Sequence, residues 1–212
     1  MLLTVKQTKN ESGNAFSIIF EKPKAFNFYP GQYIELDDKC FTLASSPTEA
    51  FLMMTTRPGI SGFKKHLKRI RTGEIIQSSH PAGTFTIDEA DPAIFIAGGV
   101  GITPFRSMIK WAVDRKLHLP ITLIYSNSDS DFIFKEELDK WQSELPNLTI
   151  HYINTVKEGR LDQEKLQRLI THHSSLIYYL AGPPSMVDDF EEILLNMEID
   201  STNIRTDRFD GY

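Results

Sequence analysis

From residue 93 onward, short apolar runs alternate with segments of helical period, and this alternation restricts the fold of the 212-residue chain most. The runs cover residues 93–97, 121–125, 149–153 and 176–181, and a last strand is expected over 204–209. Between them, Phe105, Met108, Ile109 and Ala112 mark one helix, and Leu138 and Trp141 a second. Leu166, Leu169 and Ile170 mark a third, with Asp162 as its N-cap, and Val187, Phe190, Ile193 and Leu194 a fourth. Near-continuous apolar strands separated by helices predict a doubly wound α/β domain, a parallel sheet covered on both faces.

The first half has another rhythm. Strand-like pieces at 15–20, 32–36, 41–44, 51–56, 74–77 and 84–87 are split by Pro and Gly, with one helical candidate over 63–70. Short, frequent strands predict a small antiparallel β-barrel. The change of period falls near 88–92, giving two domains, 1–89 and 90–212, each near the ~100 residues a small core requires.

At the head of the second half stands Phe95-Ile96-Ala97-Gly98-Gly99-Val100-Gly101-Ile102-Thr103-Pro104, a strand running into a glycine turn and a helix. Glycines let a backbone approach a pyrophosphate and adopt positive φ, and a helix N-terminus attracts anions. Thr103 is placed to cap, and Pro104 suits the first helical position. The turn reads as a dinucleotide phosphate site at the carboxyl end of a strand, or as a tight turn without a ligand. The third glycine of Gly-x-Gly-x-x-Gly is replaced by Pro104, and no Tyr is followed four residues on by Lys. A short-chain dehydrogenase is thereby excluded, and the chemistry must lie in the first half.

Composition removes other classes. A net charge of −5 argues against nucleic-acid and anionic-membrane binding. The basic stretch Lys64-Lys65-His66-Leu67-Lys68-Arg69-Ile70-Arg71 reads equally as a solvated helix face or as an anion site. Cys40 is the sole cysteine, so neither an internal disulfide nor a cysteine-ligated iron–sulfur cluster can form. The six histidines lack metal spacing, and His172-His173 reads as a helix end; no metal is expected. The start MLLTVKQTKNESG turns polar too soon for a signal peptide, and no apolar run approaches the ~18–20 residues of a membrane span. A cytoplasmic location is expected.

Taken in order, Pro30-Gly31-Gln32-Tyr33, Phe41-Thr42-Leu43-Ala44-Ser45-Ser46-Pro47, Gly59-Ile60-Ser61-Gly62-Phe63, the turn at 98–104, Ala181-Gly182-Pro183-Pro184-Ser185-Met186-Val187 and the ending Asp207-Arg208-Phe209-Asp210-Gly211-Tyr212 resemble the ferredoxin–NADP reductase superfamily over essentially the whole chain. Pro104 is the normal form in that family. The resemblance implies a flavoprotein oxidoreductase, with FAD more expected than FMN, that takes hydride from NADH or NADPH. It implies that the Thr42 hydroxyl lies near flavin N5 and that Phe41 packs on the flavin, with Leu43, Ala44 and Ser45 continuing the contact. Lys39 replaces the usual Arg, keeping charge but losing the bidentate fork, and Phe41 lacks the usual phenol hydroxyl; both departures imply weaker flavin retention. Thr55 and Arg57 belong to the flavin-contacting strand, and Gly59, Ser61, Gly62 and Phe63 to the pyrophosphate loop, with Lys64 and Lys65 adding charge.

For the nucleotide, the resemblance implies Gly99, Gly101, Ile102, Thr103 and Pro104 in the first turn. Tyr125, Ser126 and Asn127 fall in the adenosine loop, and Gly182, Pro183, Pro184 and Met186 in the second turn. The ending implies Asp207, Phe209 and a terminal Tyr212 near the isoalloxazine. Loop 125–132 has no basic residue and two aspartates, where relatives carry Arg at position 128, so NADH is the expected donor. The electron acceptor is expected to be a protein, with a ferredoxin, a flavodoxin, an oxygenase component and ferric complexes all open. Two alternatives stay open: a flavin reductase using free flavin as substrate, and a flavin-binding relay or regulatory subunit. The oligomeric state is not legible.

Overall fold

A computed structural model describes residues 1–170 and 175–209. The chain forms two compact units: Met1–Ile87 with Thr103–Arg115, and Asp88–Ile102 with the described residues from Lys116 to Phe209.

The first unit contains β1 (Leu2–Asn10), β2 (Phe16–Glu21), β3 (Tyr33–Leu36), β4 (Lys39–Thr42), β5 (Phe51–Thr56), α1 (Gly62–Arg69) and β6 (Ile75–Gln77). All but the first residue of α2 (Ile102–Arg115) belongs with them. The strands form an antiparallel sheet in the order β5-β2-β1-β6 and a separate hairpin, β3-β4. Single bridges, Leu43 to Met54 and Tyr33 to Ala82, tie the hairpin to its surroundings. The expected antiparallel strands are there, but the structure does not show them closed into a barrel: one bridge joins the hairpin side to β5, and the other reaches residue Ala82 outside any strand. Leu3, Ile18, Phe20, Ile34, Leu43 and Met54 fill the core, and Leu67 docks α1 onto it.

Two expectations fail here. Residues 84–87 make no ladder: the Phe85 ring packs 5.9 Å from Phe105 of α2, and the Phe85 carbonyl lies against Gly31. Gly31, at φ +100°, has no room for a Cβ, which would sit 2.1 Å from that oxygen. Conversely, β1 is a central strand that the sequence reading does not place. Only Leu3 and Val5 of β1 are buried, and residues 6–10 are all exposed, so its polar half carries no strand signal.

The second unit contains β7 (Ala93–Gly98), β8 (Ile121–Asn127), α3 (Lys135–Glu144), β9 (Leu148–Asn154), α4 (Thr155–Glu158), α5 (Gln163–Leu169), β10 (Ile177–Gly182), α6 (Pro184–Asn196) and β11 (Ile204–Arg208). Every pairing is parallel, in the order β11-β10-β7-β8-β9. Leu166 of α5 and Val187, Phe190 and Leu194 of α6 pack on Ile94, Ile96 and Leu180 of the sheet. Asp162 caps α5 as expected, accepting the Lys165 N–H at 2.9 Å. Thr103 does not cap α2. A tight turn over Gly99–Gly101 runs into the helix, which has begun by Ile102, so Thr103 is buried inside the first turn. Pro104 is the third helical residue, still where a missing N–H costs no intrahelical bond. No described helix is long and apolar enough to cross a membrane.

Candidate nucleotide and flavin sites

In the second unit, strand order reverses between β7 and β10, because the chain runs outward through β8 and β9 and then returns to the other side of β7. Open sheets bind ligands beyond the carboxyl ends of the strands at such a point. Both expected glycine turns lie there, after β7 and after β10. Three of the glycines pack closely here: an added Cβ would meet backbone at Gly101, and chiefly the end of the Met186 side chain at Gly98 and Gly182. A Cβ on Gly101 would sit 2.1 Å from the Ala181 carbonyl oxygen and 2.7 Å from Gly182 Cα; one on Gly98 would sit 2.2 Å from Met186 Sδ, and one on Gly182 2.7 Å from Met186 Cε. Gly99 adopts φ +55°. The two turns meet backbone to backbone, with Met186 filling the remaining space.

The residues behind this junction support it. Tyr125 is fully buried; its hydroxyl donates to the Gly99 carbonyl at 2.9 Å and accepts the Ile133 N–H at 3.3 Å. Ser126 Oγ donates to the Ala97 carbonyl at 3.3 Å. Asn127 Nδ2 donates to Asp129 Oδ1 at 2.8 Å, and the same oxygen accepts the Asp131 N–H, fixing the loop after β8. All three expected adenosine-loop side chains thus hold the turn and loop in shape. Pro183 is exposed and Pro184 half-buried at the start of α6. The Phe209 N–H donates to the Gly182 carbonyl at 2.9 Å, which brings the end of the described chain to the second turn. Asp207 pairs with Ala181, and burial pushes its carboxyl up to about 6. Tyr212 and His172-His173 lie outside the described residues.

In the first unit, Thr42 ends β4 and is buried, paired across the hairpin with Tyr33. The ring of its neighbour Phe41 lies 6.2 Å from that of Phe63, and Lys39 Nζ stands 5.6 Å over Phe63. Leu43 and Ala44 are fully buried, and Ser45 Oγ accepts the Met53 N–H at 2.9 Å. The Thr55 hydroxyl is engaged with Ser17 Oγ at 2.6 Å.

Just past β5 the chemistry changes. Arg57 Nε is buried and has no hydrogen-bond partner. Lys64, in the first turn of α1, is buried too; its ammonium donates to Thr56 Oγ1 at 2.9 Å and to the Arg57 carbonyl at 3.3 Å, and burial lowers its pKa. Ser61 caps the helix, accepting the Lys64 N–H at 3.2 Å, and the first turn holds no acid. A helix N-terminus carries partial positive charge, so a buried lysine there is unfavourable without an anion. The orphaned Arg57 nitrogen, Lys64 and the capped turn at Gly59–Gly62 fit a phosphate group. Gly62 itself is not needed for space: a Cβ there would meet nothing within 4 Å.

The sequence reading missed Arg106, Ser107 and Glu49. Arg106 is 2% exposed, donates to the Ala44 carbonyl at 2.7 Å, and bonds both oxygens of Glu49 at 2.9 and 3.2 Å. Ser107 Oγ donates to the Ser45 carbonyl at 2.7 Å. Nothing in the sequence marks them, because position 106 adjoins the apolar stripe of α2 and reads as its polar edge. Among the described residues, no group of three or more His, Cys, Asp or Glu could hold a metal.

Fold and site together define a class: a dinucleotide-type parallel sheet with two glycine turns at its switch point, in one chain with an antiparallel unit that carries the cationic pair Arg57 and Lys64 at the start of α1. Residues 95–192 match the family described as the oxidoreductase NAD-binding domain. The chain is 28% identical over 152 residues to a glycine betaine monooxygenase reductase subunit of Pseudomonas aeruginosa, a match covering 65% of this chain and 42% of that protein. It is 26% identical over 231 residues to the ferredoxin reductase component of the 3-ketosteroid-9-alpha-monooxygenase of Rhodococcus rhodochrous, covering 100% of this chain and 65% of that one. The crystal structure of the flavohem-like FAD/NAD binding domain of a nitric oxide dioxygenase from Vibrio cholerae shares the fold, with a TM-score of 0.84 at 17% identity and 98% of each chain covered. The chain is similar, in sequence and in fold, to ferredoxin–NADP reductase-like flavoprotein reductases. It spans about two fifths to two thirds of the length of these curated relatives.

Proposed function

We propose that this chain is an NAD(P)H-dependent, FAD-containing reductase that delivers electrons to a protein acceptor. The observation that carries the reading is the close packing of the two glycine turns, Gly101 against Ala181 and Gly182, which sets both at the switch point where open parallel sheets bind dinucleotides. The flavin half rests on the buried, acid-free pair Arg57 and Lys64, which suits a pyrophosphate. FAD held by Arg57, Lys64 and the Gly59–Gly62 turn would supply the redox chemistry that links hydride donor to electron acceptor.

The chain's own residues bind and orient. Thr42 directs its hydroxyl at the flavin N5 region, and Phe41 and Phe63 give apolar contact. Arg57, Lys64 and the Gly59–Gly62 turn hold the pyrophosphate. Gly99, Gly101 and Ile102 hold the phosphates of the nicotinamide nucleotide, and Pro183, Pro184 and Met186 border it. Hydride transfer requires orientation rather than an acid–base residue. Asp129 and Asp131, with no cation in their loop, favour NADH over NADPH. The relatives' names, reductase subunits of oxygenase systems, support an oxygenase component or a ferredoxin-like protein as acceptor.

The visible spectrum of the purified protein, before and after anaerobic NADH, tests the reading. Flavin bands that bleach with NADH are expected. A protein that stays colourless when FAD is added overturns it, and a colourless protein that oxidises NADH only with added free flavin marks the flavin reductase instead.

A further inference from the structure

Three consecutive main-chain groups beyond Thr42 are fixed by side chains from outside their own strand. The Ala44 carbonyl accepts from Arg106 at 2.7 Å, the Ser45 carbonyl accepts from Ser107 at 2.7 Å, and the Ser46 N–H donates to Glu49 Oε2 at 2.7 Å. Glu49 and Arg106 close the ring by their own ion pair. On the strand side, the Ala44 N–H donates to the Met53 carbonyl at 2.7 Å and the Leu43 N–H to the Gln32 carbonyl at 2.9 Å. The segment 43–46 is thus held on both edges, and the outer edge depends on one buried charge. An ion pair this buried is weak evidence for stability, since its desolvation offsets its attraction. Fixing two adjacent peptide groups, 44–45 through Arg106 and 45–46 through Glu49, is what a pair like this does well.

We propose that Arg106 is a positioning residue for hydride transfer: through the Ala44 carbonyl and Glu49 it sets the backbone that carries Thr42, and so the placement of the reacting flavin edge. The proposal rests on the flavin reading of Thr42. Reaction rates respond steeply to orientation, with a misplacement of about 1 Å able to cost on the order of a hundredfold, so loss of Arg106 is read in turnover more than in nucleotide binding.

The test compares wild type with Arg106→Lys and with the charge-balanced double variant Arg106→Met/Glu49→Gln, using the full chain loaded with FAD. Breaking one half of a buried pair destabilises strongly, whereas replacing both partners can be neutral, so the double variant separates folding from positioning. The lysine variant keeps the charge but cannot serve Ala44 and both Glu49 oxygens together. In each variant the kcat for NADH oxidation with ferricyanide is expected to fall at least tenfold, with KM for NADH within twofold of wild type and a shifted flavin absorption band. Wild-type kcat in whichever variant binds FAD and melts within a few degrees of the parent overturns the positioning role. A tenfold fall accompanied by an equal rise in KM overturns it as well, by making the loss one of binding. A wild-type protein that binds no flavin overturns the reading beneath it, a different result from either.

Discussion

Gly101→Ala tests the nucleotide junction directly. The added Cβ would lie 2.1 Å from the Ala181 carbonyl oxygen, 2.4 Å from its carbon and 2.7 Å from Gly182 Cα. Unstrained contacts of this kind need about 3.5 Å, so the backbone must move by about 1 Å. It has little freedom to do so, because Ala181 is paired with Ala97 of β7 on one side and Asp207 of β11 on the other. Overpacking a rigid site costs about 1–3 kcal/mol, and the double-sided ladder places this site at the upper end. At about 2–4 °C per kcal/mol for a chain of this size, the midpoint should fall by roughly 6–12 °C. Thermal denaturation followed by circular dichroism measures it without nucleotide, and steady-state kinetics should show a raised KM for NADH. Gly62→Ala is the control. Gly62 opens α1 without positive φ, and a Cβ there meets nothing, so alanine should stabilise by about 0.4–1 kcal/mol. A Gly101→Ala protein melting within 2 °C of wild type (roughly the shift of 1 kcal/mol), or a Gly62→Ala protein melting as low as Gly101→Ala, would refute the reasoning.

Arg57→Met should leave apo stability unchanged or slightly raised, because it removes a buried, unpartnered donor. It should weaken FAD binding by about 10–100-fold, the loss of one charge-assisted bond; flavin fluorescence titration gives the answer, and unchanged affinity removes Arg57 from the site. Asp207 is pushed up to about 6 by burial, so the folded state holds its proton more tightly than the unfolded chain does. Its stabilising contribution is present below the ordinary carboxylate value and is lost as pH rises through about 6. Asp207→Asn should therefore raise the melting temperature at pH 7.5 and leave it nearly unchanged at pH 4; equal shifts at both pH values would contradict this. Ser128→Arg places a cation in the loop held by Asn127 and Asp129. It should raise kcat/KM for NADPH relative to NADH by about tenfold, and an unchanged ratio would show that the 2′-phosphate is read elsewhere.

The first half shows where sequence patterning stops. Its antiparallel strands are visible wherever both faces contribute apolar residues, as in β2 and β5. β1 is not, because six of its nine residues face solvent and its place is set by pairing with β2 and β6. Residues 84–87 have strand composition, yet Phe85 is drawn to Phe105 and the chain abandons the ladder. Thr103 looks like a cap because caps are read from residue type, whereas the helix start is decided by the glycine turn feeding directly into it.

The sequence alone determined the strand–helix alternation of the second unit's parallel sheet, the two glycine turns and a strand through Thr42, whose end it placed at Ala44 and the structure places at Thr42. Those features arise from local period and from residue types with few backbone options, so they survive without knowledge of any contact. Tertiary structure decided what each polar group is for. It turned Tyr125, Ser126 and Asn127 into supports of the glycine turn, engaged Thr55 with Ser17, and left Arg57 Nε without a partner. It also joined Arg106 and Ser107 of α2 to Glu49 and to a backbone some sixty residues away in sequence. Hydrogen bonds over such separations depend on which surfaces the packed core brings together, and no local pattern encodes that choice.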